Sequence, residues 1–100
     1  MHLPLHKRSP ISQDEAESLA IDMLRFLGED VSRLAGFLAA TGLGPADLRR
    51  QAGSTEFLAG VLDFVAADES LLLVFASERR VDPTTVLAAK RQLLPDADEC

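Results

Sequence analysis

The chain has one cysteine, Cys100, and no tryptophan or tyrosine. A lone thiol cannot close an intrachain disulfide, so the fold has no covalent staple and a reducing compartment, the cytoplasm, is expected. Histidine is almost as scarce: His2 and His6 lie together in a stretch interrupted by Pro4 and Pro10. No Cys–His pair is positioned for catalysis, and the two histidines have no cysteine or acid nearby to complete a metal set. No catalytic residue, metal or cofactor is expected.

Long apolar runs are missing too. The longest, residues 71–76, is far too short to cross a bilayer, and residues 1–10 carry Lys7 and Arg8 but no apolar stretch of signal-peptide length. Positive charge is short: ten Lys and Arg against sixteen Asp and Glu give a formal net charge of −6. Such a chain has no global field to gather nucleic acid or anionic membrane, and solubility is the plainer meaning of its acidity. Walker and dinucleotide loops are also lacking, because Gly42-Leu43-Gly44 follows a helical pattern rather than a strand.

What the chain does have is hydrophobic content of 47% over 100 residues, enough for one compact domain. Residues 1–11 read as a flexible lead-in, 12–95 as a single helical domain and 96–100 as an acidic tail. Ser12 with Glu15 fits a capping box, and Gly28 suits a left-handed end to the first helix. Asp30 caps a second helix that Gly42 stops, and Pro45 starts a short third before Gly53. Ser54, Asp68 and Asp82-Pro83 then open three more, and Pro95 ends the last. Helix five, Leu71-Leu72-Leu73-Val74-Phe75, is apolar nearly all round, which predicts burial at the domain centre or under a partner.

These signals repeat. Shifted by 38 positions, residues 16–53 align without a gap on 54–91, and Leu24, Phe26, Asp30, Ser32, Leu34, Phe37 and Pro45 fall on Leu62, Phe64, Asp68, Ser70, Leu72, Phe75 and Pro83. The expectation is an all-α bundle of about six short helices, two similar three-helix units packed through helices one, two, four and five. Because caps, anchors and turns repeat, the duplication reads as scaffold. Function is expected where the copies differ, as at Gly42 against Arg80, Gly44 against Asp82 and Arg49-Arg50 against Leu87-Ala88.

Two surfaces are candidates for binding. Gly42-Leu43-Gly44-Pro45 looks like the phosphate-holding loop of a helix-hairpin-helix, and the same stretch, with Ala76 to Val86 as a parallel, looks like a helix-turn-helix. Arg49, Arg50, Arg79, Arg80, Lys90 and Arg91 would then contact nucleic acid. Helix capping explains the same letters, since cations are favoured near helix C-termini, and no aromatic accompanies these cations as a stacking platform. The other surface is apolar: Phe57, Leu58, Leu62, Phe64, Leu71 and Phe75 form either a face for another protein, or for a second copy, or the domain core. Asp63 with Asp68 or Glu69 could be imagined as an acid/base pair, but capping and solvated roles suit these carboxylates better.

The succession Phe26-Leu27-Gly28-Glu29-Asp30, Phe37-Leu38-Ala39-Ala40-Thr41-Gly42-Leu43, Phe57-Leu58-Ala59-Gly60-Val61-Leu62-Asp63-Phe64 and Asp68-Glu69-Ser70-Leu71-Leu72 resembles a family of short alphaproteobacterial proteins known as a domain of unknown function. The resemblance covers roughly residues 14–94. It implies a small, all-helical, cytoplasmic protein and carries no activity, ligand or site. The functional expectation is a non-enzymatic protein–protein interaction module, a small adaptor or regulator, with weak DNA binding as the alternative.

Overall fold

A computed structural model of the protein describes residues 11–94. Among them are six helices and no strand: α1 (Gln13–Gly28), α2 (Val31–Thr41), α3 (Pro45–Gln51), α4 (Thr55–Ala66), α5 (Glu69–Arg79) and α6 (Pro83–Leu93). The starts are chemically explicit. The Ser12 hydroxyl accepts from the Glu15 N–H at 3.1 Å while the Glu15 carboxylate accepts from the Ser12 N–H at 3.0 Å, a reciprocal box that satisfies two donors. Asp30, Ser54, Asp68 and Asp82 each accept a backbone N–H from the first turn of α2, α4, α5 and α6. Each such cap contributes about 1 kcal/mol. Pro45 and Pro83 stand in the first turns of α3 and α6, where a missing N–H costs nothing.

The core lies between α1, α4 and α6, which make the most extensive mutual contacts. Met23, Phe26 and Leu27 from α1 meet Val61, Leu62 and Val65 from α4 and Val86, Ala89 and Leu93 from α6, all buried. Burial of each large side chain contributes roughly 1.5–3 kcal/mol. This corrects the expected packing through helices one, two, four and five, because the third centre is α6. Its polar letters, Thr84, Lys90 and Arg91, disguise a narrow seam at Val86, Ala89 and Leu93, spaced three and four residues apart. Helix α5 is correspondingly not central: Leu72, Phe75 and Ala76 face inward, but Leu73 is 51% exposed and Val74 40%.

Gly28 also differs from expectation. It remains in α1 without a positive φ, and Gly42 and Arg80 are the left-handed residues among those described. The chain needs no reversal there, since the Glu29 and Asp30 N–H groups bond back to the Phe26 and Leu27 carbonyls at 3.3 Å and Asp30 at once caps α2.

The duplication is three-dimensional. Phe26 of α1 meets Phe75 of α5 edge-to-face, with centroids 5.1 Å apart and planes at 76°. The residues 38 positions away, Phe64 of α4 and Phe37 of α2, meet in the same way at 5.3 Å and 76°. An approximate twofold axis therefore relates α1–α2 to α4–α5, with each unit's second helix closing on the other unit's first. Left-handed C-caps recur too, Gly42 at φ 77° and Arg80 at φ 57°. The symmetry fails at the third helices: α3 has seven residues and buries none fully, whereas α6 has eleven and is central.

Candidate interaction site

The apolar residues expected at an interface divide. Phe57, Leu58, Leu62 and Phe75 are buried and belong to the core, so they offer no surface to a partner. Phe64 and Leu71 are half-buried at its edge. Among the described residues the exposed large apolar side chains are others, Leu73 and Val74 on α5, Leu87 on α6, Ile21 on α1 and Val31 on α2.

The six cations divide as well. Arg50 pairs with Asp47 on its own helix, and the Lys90 ammonium lies 3.1 Å from the Asp63 carboxylate. Arg79 reaches two acids, its Nε 3.1 Å from Asp22 and its terminal nitrogen 3.1 Å from Glu29. Arg49, Arg80 and Arg91 are exposed. Half of the cations proposed for a phosphate backbone are therefore already held by carboxylates, which weakens an electrostatic footprint that was small to begin with.

Arg79 marks a built corner between α5 and α1. Its guanidinium carbon lies 5.7 Å from the Phe26 ring centroid, on which Arg33 also stacks at 4.0 Å. Arg33 donates to the Phe26 carbonyl at 3.1 Å, at the C-terminal end of α1, and approaches Glu78 at 3.7 Å. Hydrogen bonding to Glu29 and the charge of Asp22 hold the Arg79 proton more firmly than usual, against the opposing effect of partial burial.

The symmetry-related corner, between α2 and α4, carries none of this. Thr41 stands in place of Arg79, Gly60 of Asp22, Ala67 of Glu29, Ala40 of Glu78 and Leu71 of Arg33. The Thr41 hydroxyl turns back to its own helix and donates to the Phe37 carbonyl at 2.9 Å. What remains is an open cleft of about 440 Å³, with half-buried Phe64 among its walls and Asp63 and Asp68 at its edge. A Cβ added to Gly60 would meet nothing within 4 Å. Among the described residues no cation lines the cleft, and neither α2 nor α4, whose C-terminal ends contribute to it, has a basic residue in its last turn. The C-terminal ends of α2 and α4 turn toward this space beside an aromatic ring, and Asp63 and Asp68, each with one oxygen beyond its bond to Lys90 or to the Leu71 N–H, stand at its edge. The signal for this corner lay in the repeat, as Arg79, Asp22 and Glu29 set against their counterparts Thr41, Gly60 and Ala67, each 38 positions away.

A second groove, about 590 Å³ and open, runs along α1 over Ile11, Leu19 and Val81. Two carboxylates at its rim are engaged, Glu15 in the capping box and Asp22 with Arg79. The imagined acid/base pair is likewise occupied: Asp63 faces Lys90, and Asp68 accepts the Leu71 N–H at 3.1 Å. Among the described residues no three His, Cys, Asp or Glu side chains are grouped to hold a metal, and no helix is long and apolar enough to cross a membrane. His2, His6 and Cys100 lie outside the described residues.

Residues 13–96 match the family described as Protein of unknown function (DUF3572), and the chain belongs to that family. Comparison with curated proteins and with solved structures finds no match.

Proposed function

We propose that this member of the family is a non-enzymatic protein–protein interaction module, a small adaptor or regulator, and that its docking face is the cleft over Phe64. One observation carries the reading: of two corners related by internal symmetry, one is filled by its own arginine and acids and the other is left open with an aromatic side chain in its wall. Apolar area beside carboxylates that each keep an open oxygen is what a protein partner exploits, whereas no grouping of reactive side chains among the described residues supports catalysis. Its single cysteine suits a reducing compartment, and we read it as working in the cytoplasm of a bacterium, as its resemblance to short alphaproteobacterial proteins implies.

A photo-crosslinking residue at Gly60 tests this in the cells that make the protein. The expected result is a discrete adduct with a partner or a second copy, competed by the unmodified protein and absent when the crosslinker stands at Arg49 on α3. Labelling at Gly60 no greater than at Arg49 would defeat the proposal.

A further inference from the structure

The filled corner and the open one occupy equivalent places in the two halves of the repeat packing. In the first, the Arg79 guanidinium lies between α5 and α1, bonded to Asp22 and Glu29 and 5.7 Å from the Phe26 ring centroid, while Arg33 stacks on that ring at 4.0 Å. In the second, the aromatic pair that frames the corner is reproduced to within 0.2 Å of centroid separation, 5.3 against 5.1 Å, with the same 76° between the rings. The space is preserved while the side chain that would fill it is not. Thr41 ends far short of Arg79, and Gly60 and Ala67 withdraw the side chains that Asp22 and Glu29 extend.

Charge on the cleft is suited to the missing group. Asp63 and Asp68 stand at its edge, and among the described residues its lining has no cation. Lys90 reaches Asp63 from α6, but through one oxygen, Oδ1, and Asp68 likewise spends its Oδ1 on the Leu71 N–H. Each carboxylate therefore keeps a second oxygen for an incoming donor. A planar guanidinium can lie on Phe64 and donate sideways to carboxylates at once, which a compact ammonium does less well. Cation–aromatic contact at an exposed site is weak, so one such anchor gives low affinity on its own and depends on the rest of an interface.

We infer that the cleft between α2 and α4 receives an arginine side chain of a partner protein, which takes over the Phe64 face and the Asp63 and Asp68 edge much as Arg33 and Arg79 between them occupy the corner over Phe26. This rests on the reading of the protein as an interaction module and specifies the partner's chemistry. The intramolecular arginine of one corner is matched by an intermolecular arginine at the other.

The test is an amide chemical-shift titration with N-acetyl-arginine amide, with N-acetyl-citrulline amide as a neutral isostere and N-acetyl-lysine amide as a point charge. Saturable shifts should cluster at Thr41, Gly60 and Ala67 with the arginine probe at millimolar concentration, fall several-fold with lysine and vanish with citrulline. Asp68→Asn keeps a competent helix cap and should weaken the response several-fold. Thr41→Arg and, independently, Gly60→Leu should abolish it by covering Phe64; either one in folded form suffices.

Equal shifts with arginine and citrulline, shifts scattered over the acidic surface, or a response that survives both filling variants would overturn the assignment. If a partner is still captured through Gly60 in that case, the interaction reading stands and only the arginine falls. If nothing is captured, both fall.

Discussion

The Thr55 hydroxyl donates to the Glu17 carboxylate across 2.9 Å, and these two residues are counterparts, 38 positions apart, in the two copies of the repeat. A contact between a residue and its own counterpart maps onto itself when the copies are exchanged, so it marks where the approximate axis passes between α1 and α4. The two phenylalanine pairs, Phe26 with Phe75 and Phe64 with Phe37, are the off-axis contacts that the same operation interchanges. Internal symmetry here is a property of packing as well as of helix caps.

Equivalent positions should have similar energies. Phe37 and Phe75 are both essentially fully buried, at 1% and 0% exposure, and Phe37→Leu and Phe75→Leu should each cost about 1–2 kcal/mol. Phe37 should be the costlier of the two, because it also packs edge-to-face on Phe57 at 5.9 Å, a contact whose counterpart position is Leu19. Urea unfolding checks this, as a lowered midpoint with unchanged slope in both variants.

The left-handed caps give an opposed pair of substitutions. Arg80 holds φ 57°, a conformation that costs a side-chain-bearing residue roughly 1 kcal/mol, while Gly42 adopts φ 77° in the counterpart turn without that strain. Arg80→Gly should stabilise by about 0.5 kcal/mol, since relief of strain exceeds the entropy added to the unfolded chain. Gly42→Ala should destabilise by about 1 kcal/mol although its Cβ meets nothing within 4 Å, so the loss is conformational. For a domain of this size each kcal/mol moves the melting temperature by about 4–8 °C, well within calorimetric reach.

Helix boundaries were legible because they depend on neighbours within four residues, as at Ser12 with Glu15 or Asp68 with Leu71. The 38-residue echo was legible as well, yet its spatial meaning was not, since the same letters could have built two separate bundles. Of the two places expected for α5, the domain centre is not the one it takes, because hydrophobic content says how much a helix could bury while position decides how much it does; Leu73 and Val74 stay outside. The Arg79 pairing with Asp22 spans 57 residues, and no local pattern encodes such a contact. The open corner is visible only by difference, once the axis identifies Thr41, Gly60 and Ala67 as the counterparts of a clamp.

Acid should find a specific weak point at the start of α6. Asp82 accepts from the Thr84 N–H at 2.8 Å and the Thr84 hydroxyl at 2.7 Å, and these bonds hold its carboxyl below the ordinary aspartate value. Its folded value is thus lower than its unfolded one, so the stabilisation is present above the unfolded value and is lost as pH falls through the folded one. Asp82→Ser keeps a capping oxygen that does not titrate. Melting temperatures recorded from about pH 6 to about pH 2 should therefore fall less steeply for the variant than for the parent protein.

The decisive energetic comparison moves the clamp from one corner to the other. Arg79→Met removes two ion pairs from a side chain that is 22% exposed and should cost about 1–2 kcal/mol, with the difference from the parent shrinking in high salt because Asp22 and Glu29 are screened. The reverse construction, Thr41→Arg with Gly60→Asp, places an arginine and an acid at the counterpart positions beside Phe64. Gly60→Asp alone should help slightly, by replacing glycine within α4 where the added side chain has open space. The two substitutions together should stabilise by about 0.5–1 kcal/mol more than the sum of the singles, measured as the coupling in a double-mutant cycle. That coupling appears only if the open corner retains the shape and separation that seat Arg79, so additive singles would mean that the cleft over Phe64 is not built to hold a guanidinium.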